Sequence, residues 1–299
     1  MSSTPIPVLV NPVAGRGRAA KCLPAISAKL QNCKLNCVVV ESTAPGEIEN
    51  QTFDAAKSGS ARIIVAGGDG SIHEAVNGIM RAETDTALGV IPLGTGNDFA
   101  KACSIPLRWQ NATRELTDRL SSNTPPRYID VGRMNDRFFA NGAGIGFDAK
   151  INRIAASIRW PIGDLIYLIA IFRGIRDGIT TPTVRMQYAD QSWSGEITLA
   201  NISNGPWVGG MFHVAPMARN DDGFLDLVVV GPVGKRRVLS LLPSLMKGTH
   251  VHAPEVTCKP VRHFSLSADI PLHSHLDGEV QAMQSTFDIE IFAKSLALI

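Results

Sequence analysis

Three short apolar runs near the start of the chain each end in a segment of small residues, and this repeated pattern restricts the fold most strongly. The segments are 11–17 (NPVAGRG), 67–71 (GGDGS) and 94–98 (GTGND). Helix-like spacing of apolar residues separates the runs, so the pattern predicts a mostly parallel sheet that is covered by helices on both faces. In such a sheet, loops at the carboxyl ends of neighbouring strands meet at one crevice, where ligands bind.

The pattern changes at 121–127 (SSNTPPR), a segment typical of a linker. We therefore predict an α/β domain over residues 1–125. Residues 126–299 contain many short strand-like runs with turn signals between them, which predicts a β-rich second domain with a few helices. Within it, Asn135 and Asp136 are predicted to turn a hairpin, and Glu196–Asn201 is predicted to form one strand.

Charge and cysteine content narrow the class of protein. The 29 Lys and Arg residues nearly balance the 27 Asp and Glu residues, and the net charge of +2 argues against a dedicated nucleic-acid binder. No apolar run is long enough to span a bilayer, and the N-terminus lacks the pattern of a signal peptide. The five cysteines are an odd number without a CxxC pair, which favours free thiols in a reducing compartment. We expect a cytoplasmic protein whose membrane contact is peripheral.

The three glycine-rich segments have the chemistry of a nucleotide phosphate site. Glycine lets backbone N–H groups approach a phosphate closely, and the following helix N-terminus adds a favourable partial charge. Ser71 and Thr95 add hydroxyl donors, and Asp69 and Asp98 add carboxylates. A carboxylate beside a phosphate is repulsive unless a cation lies between them, which points to magnesium-bound ATP. The Walker pattern GxxxxGK[ST] does not occur.

A dehydrogenase is the alternative from another reaction class. Residues 15–20 (GRGRAA) fit the GxGxxA pattern, and Glu41 lies where a ribose-binding acid of an NAD(H) site is expected. That match is short and leaves the Gly68–Asp69–Gly70 segment unexplained. A nucleotide-binding regulatory protein without turnover is a third hypothesis.

Longer segments resemble the diacylglycerol kinase catalytic-domain family. The soluble bacterial lipid kinases are the most similar members, and sphingosine and ceramide kinases are more distant ones. The matching segments lie in order over nearly the whole chain, which chance does not explain. They are Asn11–Pro12 with Gly15–Arg16–Gly17, 67–78 (GGDGSIHEAVNG), 91–100 (IPLGTGNDFA), 142–149 (GAGIGFDA), 220–226 (NDDGFLD) and 276–279 (LDGE). Ser71 stands where threonine is more usual and Gly96 where alanine is common, and neither change removes a needed group.

The resemblance implies an N-terminal α/β domain related to that of NAD kinases and a C-terminal β-sandwich, with the active site in the cleft between them. The last segment, about 290–299, is a candidate to return to the first domain. The implied reaction is ATP- and Mg²⁺-dependent phosphorylation of a hydroxyl of a diacylglycerol-like or sphingoid lipid by in-line transfer. The implied partners are a lipid substrate and a membrane surface, with no nucleic acid, and the oligomeric state is left open between a monomer and a homodimer.

The resemblance also implies which residues bind ATP. They are Asn11, Pro12, Gly15, Thr43, Gly67, Gly68, Asp69, Gly70, Ser71, Ile72, His73, Glu74, Gly94, Thr95, Asn97 and Asp98. Of these, Asp69 is implied to hold the magnesium ion or to help activate the lipid hydroxyl. Taken alone, Asp69 is explained about equally well as a residue that bonds to turn amides.

Three further groups are implied in the second domain. Asp277 is the preferred general base, with Glu279 as metal or hydrogen-bond support, although an ordinary Asp-Gly turn without a catalytic role would account for the same sequence. A structural magnesium ion is implied on the Asp222 carboxylate and the main-chain oxygens of Arg219 and Phe224.

Two segments are hypotheses for contact with lipid. The segment Ile151–Ile179 contains Trp160 and four arginines, and it is predicted to form helices that pack on the second sheet. Part of it is also a candidate for a lipid pocket or a membrane contact. Trp207–Met211 is a second candidate for the pocket wall. Asp148 and Asn141 are interpreted either as cleft-lining residues or as capping groups.

Overall fold

The computed structural model describes residues 5–158, 165–188 and 191–299. Arg159 and Trp160, which belong to the segment suggested for lipid contact, lie outside the described residues. The chain divides into two compact units. The first unit ends at Ile129 and also contains Lys294–Ile299, and the second unit is Asp130–Ala293.

The first unit alternates strands and helices, which confirms the predicted α/β class. Its elements are β1 (Ile6–Val10), α1 (Ala14–Asn32), β2 (Cys37–Glu41), α2 (Glu47–Lys57), β3 (Arg62–Gly67), α3 (Asp69–Ala82), β4 (Ala87–Pro92), α4 (Asp98–Ala102) and α5 (Trp109–Ser121). The strands lie parallel in the order β2-β1-β3-β4. The end of β18 (Gln284–Leu298) extends this sheet, with Leu298 paired in parallel with Leu88.

Helices cover both faces of this sheet because its strands are apolar on both faces. Val8 and Ile64 pack in one cluster with α1 and α5. Leu9, Ile63 and Val65 alternate with them along the strands, point to the opposite face and are also fully buried. On the second face α2 and α3 contact each other, β1 and β3. The carboxyl ends of β1, β3 and β4 therefore lie side by side at one edge of the sheet.

The second unit is built mainly from antiparallel strands, which confirms the predicted β-sandwich. Its elements are β5 (Arg127–Met134), β6 (Arg137–Phe139), β7 (Gly142–Gly146), α6 (Phe147–Ser157), α7 (Leu165–Arg176), β8 (Thr183–Tyr188), β9 (Gln191–Glu196), β10 (Leu199–Ser203), β11 (Trp207–Val208), β12 (Phe212–His213), β13 (Leu225–Val230), α8 (Lys235–Lys247), a 3₁₀ helix (Thr249–His252), β14 (Val256–Val261), β15 (His263–Leu272), β16 (Ser274–Leu276), β17 (Glu279–Val280) and the first part of β18. One sheet has the order β14-β13-β10-β7-β16-β17, and the other contains β18-β15-β8-β9.

One apolar core fills the space between the two sheets of the second unit. It takes Ile145 and Leu227 from the first sheet and Met186, Phe264 and Phe287 from the second. A separate apolar cluster joins α6, α7 and β12 with the inner side of α8. Among the described helices, none is long and apolar enough to cross a membrane.

Two local predictions have different outcomes. The hairpin at Asn135–Asp136 is confirmed, because β5 and β6 pair antiparallel on either side of it. The single strand predicted at Glu196–Asn201 is wrong, since β9 ends at Glu196 and β10 begins at Leu199. The apolar pattern continues across this break because Ile197, where the chain passes from one sheet of the sandwich to the other, is buried in the core between the sheets.

Candidate active site

The loop that follows β1, residues 11–17, turns sharply at the start of α1. Gly15, Arg16 and Gly17 have positive φ angles of 57°, 61° and 81°, so the regular helix begins only after Gly17. A Cβ atom on Gly15 would lie 2.1 Å from the Leu93 carbonyl oxygen, whereas one on Gly17 would meet nothing within 4 Å. Gly15 is therefore required for the close contact between this β1 loop and the end of the β4 segment.

The loops that follow β3 (67–71, the β3 loop) and β4 (94–98, the β4 loop) touch through their backbones. A Cβ on Gly94 would lie 2.6 Å from the Gly68 Cα, and one on Gly68 would lie 3.0 Å from the Gly94 Cα. The Asp69 carboxylate crosses the same junction, where its Oδ1 accepts a hydrogen bond of 3.1 Å from the Phe99 N–H at the start of α4. Glycine at both positions thus allows two strand ends to form one continuous surface.

Two side chains fix the shape of the β4 loop. Asn97 has a φ of 51° and bonds twice to Gly94, through its Oδ1 to the N–H at 2.9 Å and through its Nδ2 to the carbonyl at 3.1 Å. Arg18, which follows the β1 loop, donates from Nη2 to the same Gly94 carbonyl at 2.7 Å. Arg18 was not predicted as a site residue, although a cation directly after a glycine-rich loop is a usable signal for phosphate binding.

The residues predicted to bind ATP fall into an accessible group and a buried group. Several of them are exposed or half-buried at the ends of β1, β3 and β4, namely Asn11, Pro12, Gly15, Gly68, Asp69, Gly70 and Thr95. Ile72 and His73 are buried in α3, so they can offer a ligand no more than backbone groups. The Ser71 side chain is also buried and rests on Gly67, where a Cβ would lie 2.5 Å from the Ser71 Oγ. The Thr95 side chain, in contrast, is exposed.

Glu74 and Thr43, two other predicted ATP ligands, hold the segment between β2 and α2. The Glu74 carboxylate accepts hydrogen bonds from the Gly46 N–H at 2.9 Å and from the Ile48 N–H at 3.1 Å, which satisfies the free N–H groups at the start of α2. The Thr43 N–H and hydroxyl both donate to Glu47, at 2.5 and 2.9 Å. These bonds lower the pKa of Glu47, with the backbone N–H of Thr43 as the largest cause. Both side chains act in the structure as supports of a loop.

Asp277, the predicted general base, lies in the tight turn between β16 and β17. Its carboxylate accepts three hydrogen bonds from consecutive N–H groups, Ala140 at 2.9 Å, Asn141 at 2.8 Å and Gly142 at 2.9 Å. Asp277 itself has a positive φ of 51°. The three donors stabilise the carboxylate as an anion and fix its position. Glu279, two residues later, is exposed.

A polar chain in the second unit joins this turn to Asp148. The Gly278 N–H donates to His275 Nδ1 at 3.3 Å, so the other ring nitrogen carries the proton and donates to Asp148 Oδ2 at 3.1 Å. Asn201 Nδ2 also donates to that oxygen, at 3.2 Å. Burial alone would raise the pKa of Asp148, but attraction to His275 and the two hydrogen bonds lower it. His275 and Asn201 were not predicted, and a lone His or Asn gives no local signal.

An apolar cavity of about 120 Å³ lies inside the second unit beneath α8. Its walls are Phe147, Thr198, Leu199, Val214, Val228, Val230, Val233, Val238, Leu241, Leu242, Leu245 and Val256. The other lining residues, Asp148, Asn201 and His250, are polar. His250 is 5% exposed and neither ring nitrogen makes a hydrogen bond of normal geometry, although the Val214 and Ser244 carbonyls lie near the ring. The cavity therefore combines apolar walls with a few buried polar groups.

The lipid-pocket candidates from the sequence do not line this cavity. No described residue of Ile151–Ile179 or of Trp207–Met211 is among its lining residues. Trp207 instead stacks on His213, with ring centroids 4.2 Å apart. The Asn141 side chain donates to the Trp207 carbonyl at 2.8 Å, so it holds this short ribbon in place.

The turn predicted to hold a structural magnesium ion gathers three acidic side chains. Asp222 Oδ1 accepts from the Phe224 N–H at 3.0 Å, and buried Asp130 accepts from the Gly223 N–H at 2.7 Å. Burial, and next the charge of Asp222, raises the pKa of Asp226 to about 6. Two carboxylates that repel each other supply oxygen ligands of the kind that magnesium prefers. Within the described ranges, no cluster of three or more His, Cys, Asp and Glu side chains could hold a metal ion by itself.

Comparison with known proteins covers both units. Residues 5–133 match the model of the diacylglycerol kinase catalytic domain, and residues 142–299 match that of the YegS C-terminal NAD kinase beta sandwich-like domain. A diacylglycerol kinase of Mycobacterium tuberculosis is 29% identical over 257 residues, which are 84% of this chain and 81% of that protein. A diacylglycerol kinase of Bacillus subtilis is 27% identical over 277 residues, or 92% of this chain and 90% of that protein. A crystal structure from Bacillus anthracis str. Sterne matches with a TM-score of 0.79 at 25% identity and covers 100% of this chain and 98% of that chain.

Proposed function

The chain belongs to the family of lipid kinases that join a diacylglycerol kinase catalytic domain to a YegS C-terminal NAD kinase beta sandwich-like domain, and we propose that it transfers the γ-phosphoryl group of Mg·ATP to a primary hydroxyl of a diacylglycerol-like lipid. Sphingoid lipids are the second class of acceptor. The reaction forms a phosphate monoester on the lipid oxygen, releases ADP and moves the hydroxyl proton to a protein carboxylate or to water.

The observation that carries this proposal is the meeting of three glycine-rich loops at one edge of the first sheet. Gly15, Gly68 and Gly94 make contacts that no side chain would permit, with virtual Cβ distances of 2.1 to 3.0 Å to neighbouring backbone atoms. Such a surface exposes backbone N–H groups to phosphate oxygens. Asp69 and Thr95 are accessible on it, together with Asn11 and Arg16 of the β1 loop, and a carboxylate among these groups fits a triphosphate with its cation better than a dinucleotide with no cation.

We assign the chain's residues to positioning and charge control. The β1, β3 and β4 loops hold the phosphates, and Arg18 locks the β1 loop to the β4 loop through the Gly94 carbonyl. Asp69 lies on the edge of the β3 loop, where a carboxylate can hold a cation against phosphate oxygens. Phosphoryl transfer needs alignment and neutralisation of charge more than covalent chemistry from the protein, so these roles account for most of the catalysis.

The magnesium part of the proposal rests on the donor groups present. Asp69 is suited to the catalytic ion, and Asp222 with the main-chain oxygens of Arg219 and Phe224 is suited to a structural ion. The raised pKa of Asp226 supports the second site, because a cation beside Asp222 and Asp226 relieves the repulsion that contributes to this shift. When bound, the catalytic ion neutralises negative charge on the transferred group.

We place part of the acceptor's hydrocarbon chain in the cavity beneath α8. Its volume of about 120 Å³ is well below the roughly 300 to 1,000 Å³ of a typical ligand pocket, so it accommodates only a section of a long chain. Leu242→Trp is expected to fill this space and to raise KM severalfold for a long-chain diacylglycerol. KM for a short-chain diacylglycerol is expected to stay the same, and Leu239→Trp, on the outer side of α8, is the matched control.

The decisive experiment is incubation with γ-labelled ATP, Mg²⁺ and a mixed lipid extract, followed by identification of the labelled product by mass. We expect a lipid phosphate monoester from a diacylglycerol or a sphingoid base. Asp69→Asn is expected to abolish labelling while circular dichroism and the unfolding temperature remain those of the wild type, because the amide oxygen can still accept from the Phe99 N–H. ATP consumption that stays undetectable across lipid panels would support the nucleotide-binding regulatory hypothesis instead.

A thermal-shift comparison separates the kinase from the dehydrogenase. Mg·ATP is expected to raise the unfolding temperature, and NADH at the same concentration is expected to leave it unchanged. Stabilisation by NADH alone would contradict the proposal.

A further inference from the structure

Three residues that lie opposite one another on adjacent strands of the second unit place two polar side chains around a glycine. Gly144 of β7 is paired with Asn201 of β10 on one side and with His275 of β16 on the other. Residues that are directly opposite in adjacent strands share a face of the sheet, so Asn201 and His275 flank a position without a side chain. Both are at most 1% exposed, so the space above Gly144 is enclosed by buried polar groups.

The Asp148 carboxylate enters this space from α6. A Cβ on Gly144 would lie 2.2 Å from Asp148 Oδ2 and also 2.2 Å from His275 Nε2. The Asp148 Oδ2 atom accepts hydrogen bonds from His275 Nε2 at 3.1 Å and from Asn201 Nδ2 at 3.2 Å. Ser203 donates to Asn201 Oδ1 at 2.5 Å, which fixes the orientation of the Asn201 amide. We call Ser203, Asn201, Asp148 and His275 the polar network.

The turn between β16 and β17, residues 276–279 (LDGE), lies at one end of the polar network. Its central residues, Asp277 and Gly278, have φ angles of 51° and 91°, and positive values at both positions are what a two-residue loop of type I′ requires. The Asp277 N–H donates to the Gly142 carbonyl at 2.8 Å, and the Gly278 N–H donates to His275 Nδ1 at 3.3 Å. The His275 ring therefore joins Asp148 to the backbone of the turn.

The Gly278 N–H belongs to the central peptide group of the turn, which joins Asp277 to Gly278. Asp277 has a backbone conformation that residues with a side chain rarely adopt, and such a conformation persists where the surrounding structure fixes it. Gly278 has no side chain that would restrict its own φ and ψ. The bond to His275 Nδ1 holds this peptide group in one orientation. Because Glu279 follows directly, the same bond helps to set the direction in which the Glu279 side chain leaves the turn.

We propose that His275, held by Asp148, is a positioning residue for phosphoryl transfer. It keeps the central peptide group of the 276–279 turn in place, and it thereby orients Asp277 and Glu279, the two acids implied in transfer of the hydroxyl proton. His275 is 1% exposed, so it acts through the turn and not by contact with the substrate. The inference rests on the proposed function, because His275 positions groups for that reaction.

Two substitutions separate the two bonds of the His275 ring. In His275→Asn the side-chain oxygen can replace Nδ1 and accept from the Gly278 N–H, but the donor to Asp148 is lost. In His275→Gln the longer side chain can still donate to Asp148, but the acceptor for Gly278 is lost. We expect His275→Gln to lower kcat by about a hundredfold, the order of effect that a small misplacement of active-site groups has. His275→Asn is expected to lower kcat much less, and KM for Mg·ATP is expected to stay the same in both variants.

His263 supplies the matched control. It pairs with Asp288 at 2.7 Å in the same unit, and it is exposed on β15. His263→Asn and His263→Gln are expected to keep the kcat of the wild type. The unfolding temperature of all four variants is measured, and kcat is referred to the folded fraction. If the two His275 variants lose kcat equally, or if His275→Asn loses more, the polar network only packs α6 on the sheet and the proposal is wrong.

A measurement on the wild type requires neither a substitution nor turnover. In protein with ¹⁵N-labelled histidine, we expect the His275 ring to carry its proton on Nε2 and to have a bare Nδ1, with His275→Asn identifying the resonances. A proton on Nδ1 would prevent acceptance from the Gly278 N–H and would overturn the proposal. A wild type that phosphorylates no lipid would overturn the proposed function and this role with it. An active wild type with equal His275 variants would overturn the positioning role alone.

Discussion

At the scale of single residues, the three hydrogen bonds to the Asp277 carboxylate separate two roles that the sequence alone left together. Asp277 is tied to the N–H groups of Ala140, Asn141 and Gly142, whereas Glu279 is exposed and no described group bonds to its carboxylate. An acid that is already bonded three times is well suited to positioning a turn, and an exposed acid is free to meet a substrate proton.

We predict that Asp277→Asn loses stability as well as activity. The new amide group must point its N–H₂ at a backbone donor, so one buried N–H is left without an acceptor. We expect this to lower the free energy of unfolding by about 1–3 kcal/mol. Glu279→Gln is expected to lower phosphoryl transfer with no change in the denaturant midpoint. Urea unfolding and transfer rates measured on both variants test the distinction. Unchanged stability in Asp277→Asn would contradict the positioning role.

Gly15 and Gly17 form a matched pair for the phosphate-binding role of the β1 loop. Both have positive φ angles, but only Gly15 lies against a neighbour, the Leu93 carbonyl oxygen. We predict that Gly15→Ala abolishes the thermal shift by Mg·ATP, because the Cβ separates the β1 and β4 loops. Gly17→Ala has the same backbone strain from a positive φ, of order 1 kcal/mol, but its Cβ meets no neighbour. This variant is therefore expected to keep the thermal shift by Mg·ATP. Similar ATP responses in the two variants would show that the close contact is unimportant.

At the scale of elements, the periodicity of the sequence predicted the first unit better than the second. Strands that are apolar on both faces and separated by helices allow few arrangements, so the parallel sheet of β1, β3 and β4 followed directly. In the second unit, strands alternate between two sheets that face one core. The break after β9 therefore left no mark in the apolar pattern, and Glu196–Asn201 was predicted as one strand.

The parts of the site that a single segment forms could be predicted from the sequence, whereas the parts that distant segments form together could not. The glycine-rich loops were found because glycine at a sharp turn is a local signal. The chain from Gly278 through His275 to Asp148 was missed because its members come from β16 and α6, which are far apart in sequence. The cavity beneath α8 was missed for a related reason, since its walls come from several elements of which only the spatial arrangement forms a pocket.

The short helix after α8 carries a pH dependence that the cavity explains. Burial lowers the pKa of His250 below the ordinary value of 6.5 for histidine, and the nearby carbonyls of Val214 and Ser244 oppose this only in part. As the pH falls below about 6.5, the unfolded chain takes up a proton at His250 and the folded chain does not. The free energy of unfolding therefore decreases with falling pH until the folded-state pKa is reached, and then levels off.

We predict that His250→Leu removes this part of the acid sensitivity. Leucine also satisfies the apolar walls of the cavity, so the variant is expected to be at least as stable as the wild type at pH 7. His252→Leu is the control, because His252 is exposed in the same 3₁₀ helix. Urea unfolding between pH 5 and 7.5 measures the slope for each protein. An unchanged slope in His250→Leu would assign the acid sensitivity to other groups.

At the scale of the whole molecule, the chain closes its first unit with its last residues. Lys294–Ile299 belongs to the first unit although the preceding 164 residues form the second. Leu296 and Leu298 are at most 1% exposed there, and the Ile299 N–H donates to the Leu88 carbonyl at 3.0 Å. The sheet of β1, β3 and β4 is therefore completed by a segment that is separated from the rest of the first unit by the whole second unit.

This dependence predicts that changes at the C-terminus affect nucleotide binding from a distance in sequence. Leu298→Ala removes a fully buried side chain and is expected to destabilise the first unit by about 2–5 kcal/mol, whereas Ile299→Ala, at a half-buried position, is expected to be milder.

Removal of residues 294–299 exposes the β4 edge and the sites of Leu296 and Leu298 together. The expected loss of stability is of the same order as the whole stability of a small domain. Limited proteolysis with and without Mg·ATP measures the effect. Cleavage is expected first within the α/β unit of the shortened chain, and Mg·ATP is expected to protect the full chain only. Protection of both chains by Mg·ATP would mean that β1 to β4 form a stable nucleotide site without the returning strand.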